Sequence, residues 1–265
     1  MKSNNFKRLG ITPIGLTIVA VICVGVPLGI VILTSFNSST ELAFPPRGFS
    51  LRWFINIFKG SRFMDGVRFS AGIALVSSSI SLIIGTSASL ALVRYRFFGM
   101  TLMNTLIFTP LIIPEVVTGI TFLFFFIKLK MLNSWVNITI LHTILAIPYT
   151  VRVLMASLYR FDITLEEVAM SLGANPFITF KEVTLPLIKP GLIAAWIFAF
   201  VVSFNNFTAT LFLISRKGTL PIEIYSYIRT QNDPTVAALS TLLILTTVFG
   251  VVLIAKHVGL EKFSS

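Results

Sequence analysis

The chain has 265 residues, 55% of them hydrophobic and only 12% charged, with a mean hydropathy of +0.91. A soluble domain carries about 25% charged residues, so a soluble globular enzyme, a disordered chain and a coiled coil are excluded, and one polytopic membrane domain over residues 1–265 is expected. The net charge is +11, but the bases sit between apolar runs, where they suit a membrane surface and not nucleic acid.

About 20 apolar residues cross a bilayer core. Six runs reach that length: 11–35, 67–93, 101–127, 135–157, 190–214 and 236–255. The first follows Lys2, Lys7 and Arg8 as a signal peptide would, yet it is too long and lacks a clean cleavage site, so it reads as a retained span. Cys23 within it is expected to be a buried packing residue; one cysteine permits neither an intrachain disulfide nor a cysteine metal site. After the Phe44-Pro45-Pro46 breaker, residues 51–58 have the pattern of an amphipathic helix, either interfacial or packed on the protein surface.

Ser77, Ser78, Ser81, Gly85 and Ala88 in the second span permit close helix packing. Pro110, Pro114 and Gly119 in the third suggest a bent helix lining a pathway. Glu115 is a solute-pathway candidate, because an intramembrane carboxylate is costly without a role; the competing reading is an acceptor for backbone freed by Pro114. His142 in span four reads as a hydrogen-bonded packing residue, and it and His257 lack metal-ligand spacing, so no metal is expected. Ser203, Asn205 and Asn206 in span five either line the pathway or join helices. The connection 216–235 sets Arg216, Lys217, Glu223, Arg229 and Asp233 around Tyr225 and Tyr227, a pattern suited to docking another protein. No G-x-x-x-x-G-K-[ST] stretch or catalytic constellation is present, so the chain reads as a non-enzyme without its own ATP site.

The connection 158–189 is the most informative. Thr164 with Glu167 three residues on has the form of a capping box. Leu165, Val168, Ala169 and Leu172 share one helical face. Gly173 suits a left-handed helix end, and Asn175-Pro176 starts a second helix, expected over 177–183 and ending before Leu185-Pro186. The pattern is a helix-turn-helix outside the membrane, which folds onto its own bundle or docks into a partner's groove.

Glu167-Val168-Ala169, three residues, Gly173, nine residues and Val183-Thr184-Leu185-Pro186 resemble the E-A-A loop of the membrane subunits of bacterial ABC importers. Arg94-Tyr95-Arg96-Phe97-Phe98-Gly99, Ile113-Pro114-Glu115-Val116-Val117-Thr118-Gly119 and Leu220-Pro221-Ile222-Glu223 extend the likeness to the permeases of spermidine/putrescine importers, the PotC type. The resemblance implies an all-α, six-span permease of the type I importer fold that takes a small solute, a polyamine or related amino compound, from a binding protein by alternating access. Leu165, Glu166, Glu167, Ala169, Leu172, Gly173, Leu185 and Pro186 would couple it to the ATPase, and Tyr225, Arg229 and Asp233 would dock the binding protein.

The implied partners are a second, different permease chain, two ATPase subunits that hold ATP and Mg, and a periplasmic or lipid-anchored binding protein. Charge alone leaves orientation open: Lys2, Lys7, Arg8, Arg94 and Arg96 oppose Lys128, Lys130, Arg216 and Lys217. The resemblance places the loop and both termini in the cytoplasm of a bacterium, with the spans in its inner membrane. One departure is informative. Permeases of this kind often carry two aspartates where Asn205-Asn206 stand here, so a zwitterion or monocation fits this chain better than a bare polyamine. Two rivals are a self-contained carrier or channel, which predicts paired intramembrane charges or an internal repeat, and a membrane scaffold, which predicts no docking helix.

Overall fold

The computed structural model describes residues 13–41, 43–59, 61–215 and 218–258. Lys2, Lys7, Arg8, Arg216 and Lys217 lie outside them. Among the described residues the architecture is all-α. The long helices are α1 (Pro13–Ser35), α3 (Ser61–Arg94), α6 (Ser134–Tyr159), α9 (Leu185–Phe204) and α11 (Thr235–Val258). The shorter ones are α2 (Arg52–Lys59), α4 (Met100–Phe108), α5 (Glu115–Lys128), α7 (Thr164–Ser171), α8 (Pro176–Thr179) and α10 (Leu220–Ile228). Five helical stretches are long and apolar enough to cross a membrane, and a bent pair, Met100–Leu111 with Glu115–Lys128, makes a sixth.

The chain packs as two units, residues 1–61 with 226–245 and residues 62–225 with 246–265. In the first, the buried Asn37 organises the loop after α1. Its Oδ1 accepts from the Ser39 and Arg47 amides, and its carbonyl accepts from Trp53 Nε1 at 2.6 Å. The helix α2 buries Trp53 and Ile57 one turn apart and leaves Arg52, Asn56 and Lys59 exposed beside Ile55 and Phe58, so it is packed on one face and mixed polar and apolar on the other. Cys23 is exposed, contrary to the sequence expectation. The reason is that α1 buries none of its apolar window within the chain; only Thr34 and Ser35 in its last turn are buried.

The second unit is built around α6, which buries residues on every turn from Asn137 to Leu158. Ile73, Phe126, Ile138, Leu141 and Leu213 close one core cluster. The helix α3 meets α6 closely enough that a side chain at Gly85 would collide with Thr150, whose hydroxyl donates to the Ser81 carbonyl at 3.2 Å.

Three expectations about helix ends are corrected. The third span is not one helix: α4 and α5 are bent by 103°. A residue before proline disfavours the helical region, and Pro114 itself is extended at ψ 133. Span five does not reach residue 214. Its helix ends at Phe204, and the chain then runs through a break to a 3-10 turn at Thr210–Phe212. Nor does the second loop helix stop before Leu185-Pro186. A π-helical turn, Phe180–Thr184, carries α8 into α9 without interruption. A proline ring clashes with the carbonyl four residues back, here Glu182, and the wider π turn accommodates it.

Candidate functional site

The breaks in spans three and five face each other. The helix α5 begins at Glu115, so its carboxylate sits at a helix N-terminus, where the backbone dipole favours negative charge. A side chain at Gly119, one turn on, would strike the Ala209 carbonyl and the Phe212 ring, so glycine is what lets α5 lie against the 205–212 segment. Asn206 is buried and donates from Nδ2 to Glu115 Oε2 at 3.3 Å. Its Oδ1 accepts from the Thr210 amide at 3.3 Å and the Thr210 hydroxyl at 3.0 Å.

His142, on the third turn of α6 and only 2% exposed, continues the network. Its Nε2 lies 2.8 Å from Thr210 Oγ1, and its Nδ1 lies 2.8 Å from Ser203 Oγ. Ser77 of α3 donates to Ser203 at 2.9 Å. Six polar side chains from α3, α5, α6, α9 and the break thus join across the interior, about 12 Å in from the start of α6 at 1.5 Å per residue.

The four predicted pathway residues separate. Glu115 is exposed and Asn206 stands buried behind it. Ser203 is buried and fully occupied by Ser77 and His142, so it reaches no surface. Asn205 is exposed and turns the other way, donating to Thr247 of α11 at 3.4 Å. The role of Pro114 is also clear: its carbonyl accepts from the Thr118 amide and hydroxyl, while Glu115 takes a side-chain donor, so the reading of Glu115 as an acceptor for freed backbone does not hold here. His142 is hydrogen-bonded as expected, and Thr210 and Ser77 complete a network that spacing along the chain did not reveal.

At the far end of α3 lies a second assembly. The 34 residues of α3 span about 51 Å, well beyond a bilayer core, and this length delivers Arg94 to the loop 158–189. Arg94 Nη2 pairs with Glu166 Oε1 at 3.0 Å, both side chains less than one fifth exposed. Thr184 donates to the same oxygen at 2.7 Å, and the Arg94 guanidinium stacks 5.0 Å from the Phe161 ring. Glu166 therefore ties α3, α7 and the π turn together. A cavity of about 350 Å³ opens beside it, lined by Leu90, Tyr95, Met170, Pro176 and Phe180.

The outward face of α7 is apolar. Leu165, Val168 and Leu172 are 47%, 51% and 85% exposed, with Phe177 of α8 at 74%. Ala169 is half-buried, and Leu185 and Pro186 are exposed at the start of α9. Glu167 is exposed, and among the described residues its carboxylate makes no ion pair. Gly173 adopts φ +95 and Asn175 caps α8 through Ile178, as the sequence predicts. Thr164 does not cap α7: Ile163 is the N-cap, and Asp162 accepts from the Thr164 amide at 3.0 Å instead. Thr164 beside it holds the Asp162 carboxyl below its usual range through a side-chain and a backbone hydrogen bond.

Among the predicted docking residues, Tyr225 is exposed, its ring 5.0 Å from that of Phe207. Arg229 is exposed just after α10. Asp233 is half-buried and its carboxylate is engaged within its own unit, accepting from Tyr227 Oη at 2.7 Å and from the Thr235 amide at the start of α11 at 2.8 Å.

The chain belongs to the family described as the binding-protein-dependent transport system inner membrane component, matched over residues 81–260. It is similar to the putrescine transport system permease protein PotI of Escherichia coli (strain K12), 33% identical, covering 82% of this chain and 80% of that protein. The spermidine/putrescine transport system permease protein PotC of the same organism is 28% identical over 86% of each. The fold matches a bacterial ABC transporter involved in the import of the acidic polysaccharide alginate, with a TM-score of 0.70, 15% identity and 97% and 98% coverage. The chain is thus a multi-pass permease subunit of a binding-protein-dependent transport system, the family that the Glu167–Pro186 signature indicated.

Proposed function

We propose that this permease imports a small amine cation and that Glu115 meets its ammonium group within the membrane. The observation that carries the reading is a single exposed carboxylate at the mouth of a broken span, backed by the buried Asn206 amide. A charged group in transit loses hydration, and an opposite charge on the pathway offsets that cost. The names of the two relatives, a putrescine and a spermidine/putrescine permease, agree with an amine. Asn205 and Asn206 add dipoles and no charge. This chain therefore neutralises one ammonium, and the second charge of a diamine falls to the partner permease.

The chain itself hydrolyses nothing. Two ATPase subunits carry ATP and Mg, and a periplasmic or lipid-anchored binding protein delivers the solute. A second, homologous but different permease chain completes the pathway. The exposed apolar face of α7, with Phe177, inserts into a cleft of the ATPase, with Gly173 forming the turn and Glu167, Leu185 and Pro186 at the margins. In this reading the 158–189 loop and both termini lie in the cytoplasm. Glu166 acts from inside: it links α7 to α3 and α9, so that movement of the docked helix reaches the spans and shifts the balance between inward-open and outward-open states. Tyr225 and Arg229, each exposed, are the residues this reading assigns to contact with the binding protein.

The test is uptake by vesicles reconstituted with both permeases, the ATPases and the binding protein. Labelled putrescine enters only with ATP, and spermidine and a simple monoamine compete. A neutral or anionic analogue competing as well as the amines, with putrescine itself excluded, overturns the amine assignment.

A further inference from the structure

The hydrogens of the buried network can be placed one by one, starting from a donor that has no choice. The Thr210 backbone N–H can only donate, and it faces Asn206 Oδ1 at 3.3 Å. That fixes the amide: Nδ2, the donor end, faces Glu115 Oε2. The Thr210 hydroxyl has one hydrogen, and its two acceptors at 3.0 and 3.1 Å both belong to Asn206. His142 Nε2 at 2.8 Å is a third place that hydrogen could go; we assign it to Asn206, which makes Thr210 Oγ1 an acceptor toward His142 and puts the imidazole proton on Nε2. Nδ1 is then bare and accepts from the Ser203 hydroxyl. Ser203 Oγ in turn accepts from Ser77. Every bond runs the same way, Ser77 to Ser203 to His142 to Thr210 to Asn206 to Glu115. Hydrogen bonds aligned in one direction polarise and strengthen one another in a low-dielectric interior.

We propose that His142 is a positioning residue for solute recognition: through Thr210 it secures the second clamp on the Asn206 amide, the hydroxyl bond beside the backbone one, so that the NH2 and the Glu115 carboxylate it meets keep one fixed orientation toward the pathway. The role rests on the assignment of Glu115 to the solute. The opposite tautomer would draw the Thr210 hydrogen to His142 and strip it from Asn206, leaving one of the amide's two clamps. With the amide turned over, an oxygen would face the Glu115 oxygen and the contact would become repulsive. A purely structural histidine needs only its two partners satisfied and does not require one direction.

The glutamine side chain can reproduce the pattern, donating through its NH2 and accepting through its oxygen; leucine can do neither. In the fully reconstituted transporter, His142→Leu raises the half-saturation concentration for putrescine about tenfold with a smaller change in maximal rate, and His142→Gln returns it to within about twofold. Equal losses in both variants, or loss of folded transporter with unchanged half-saturation, overturn the proposal. Because leucine could destabilise the bundle, a second measurement uses the intact protein. Nitrogen NMR of this subunit, labelled at histidine and assembled with unlabelled partners, shows His142 neutral and protonated on Nε2; a proton on Nδ1 defeats the proposal. The same spectrum stands whatever the solute is. Failure of the amine reading shows separately, as unchanged half-saturation in Glu115→Gln.

Discussion

The span breaks around Glu115 and the loop helix α7 belong to one packed unit, and they invert each other. At the breaks, neutral polar groups are buried and bonded to one another, and a carboxylate is left at the surface. In α7 the carboxylate Glu166 is turned inward, and leucines that could have packed are left outside. Each region exposes the group its local solvent least favours. A carboxylate is costly in a membrane and an apolar face is costly in water; on the function proposed above, a cation meets the first and an apolar cleft of the ATPase covers the second. The comparison separates recognition from coupling, and substitutions should fall into two classes accordingly.

The largest effect is expected where charge meets solute. Glu115→Gln removes the carboxylate and keeps the shape, and uptake of putrescine at low concentration should fall about 100-fold, the scale of a lost charge-assisted contact of ~3 kcal/mol. Co-purification with the ATPases should be unchanged. Loss of both together would break the separation.

Gly173→Val attacks the other class. At φ +95 a β-branched residue is strained by roughly 1–2 kcal/mol, and the turn that presents Leu172 shifts. Maximal uptake should drop about tenfold with weaker ATPase association, at the same half-saturation. Membrane insertion survives, because the turn lies outside the spans. Unaltered uptake with unaltered assembly would sink the coupling role of this loop.

The Arg94–Glu166 pair sharpens the comparison with stability as the readout. Either residue changed alone to methionine leaves a partly buried charge without its partner, at a cost of roughly 2–3 kcal/mol. The double change recovers much of this and still uncouples transport, because the α3–α7–α9 tie is gone. Thermal unfolding of the four proteins gives the cycle, and additive losses would show that the two side chains do not act together.

Asn206→Asp tests the recognition side more gently. An aspartate cannot donate to Glu115, and two carboxylates would then share the break. Competitive uptake should shift several-fold toward solutes of higher positive charge. Reduced stability with unchanged preference among solutes would assign Asn206 to packing alone.

Much of this was legible in the sequence for definite reasons. Apolar run length gave the spans, because a bilayer sets a fixed minimum. The Glu167, Gly173 and Pro186 spacing gave the loop, because its turn chemistry is local. Pro110, Pro114 and Gly119 marked a bend, though a run of hydropathy cannot distinguish a bend from a 103° break. The end of α9 at Phe204 was hidden for the same reason, since residues 205–214 stay apolar enough to look like more helix. The partners of Glu166 were beyond reach: Arg94 lies 72 positions away and no periodicity links them. The apolar face of α7 was read correctly, but which side faced out depended on Glu166 finding Arg94. His142 was placed as a bonded residue, while its direction depended on Thr210, 68 positions further on.

The smallest expected effect lies where the comparison has least at stake, at the entry to α7. Asp162 is fully exposed and accepts from the Thr164 amide. Its folded carboxyl is held below the ordinary value, so the stabilisation is present above the unfolded value and is lost as pH falls through the folded one. Solvent screening keeps such a contribution minor. Asp162→Asn preserves an acceptor for the same amide and removes the charge near a helix start. Uptake and ATPase association should therefore change by less than about twofold at neutral pH. What should disappear is the acid-side loosening of the loop, measured as proteolytic cutting within 158–175 between pH 5 and pH 3. If the variant loosens with acid as the native protein does, another carboxylate governs the loop, and exposed Glu167 is the next to test.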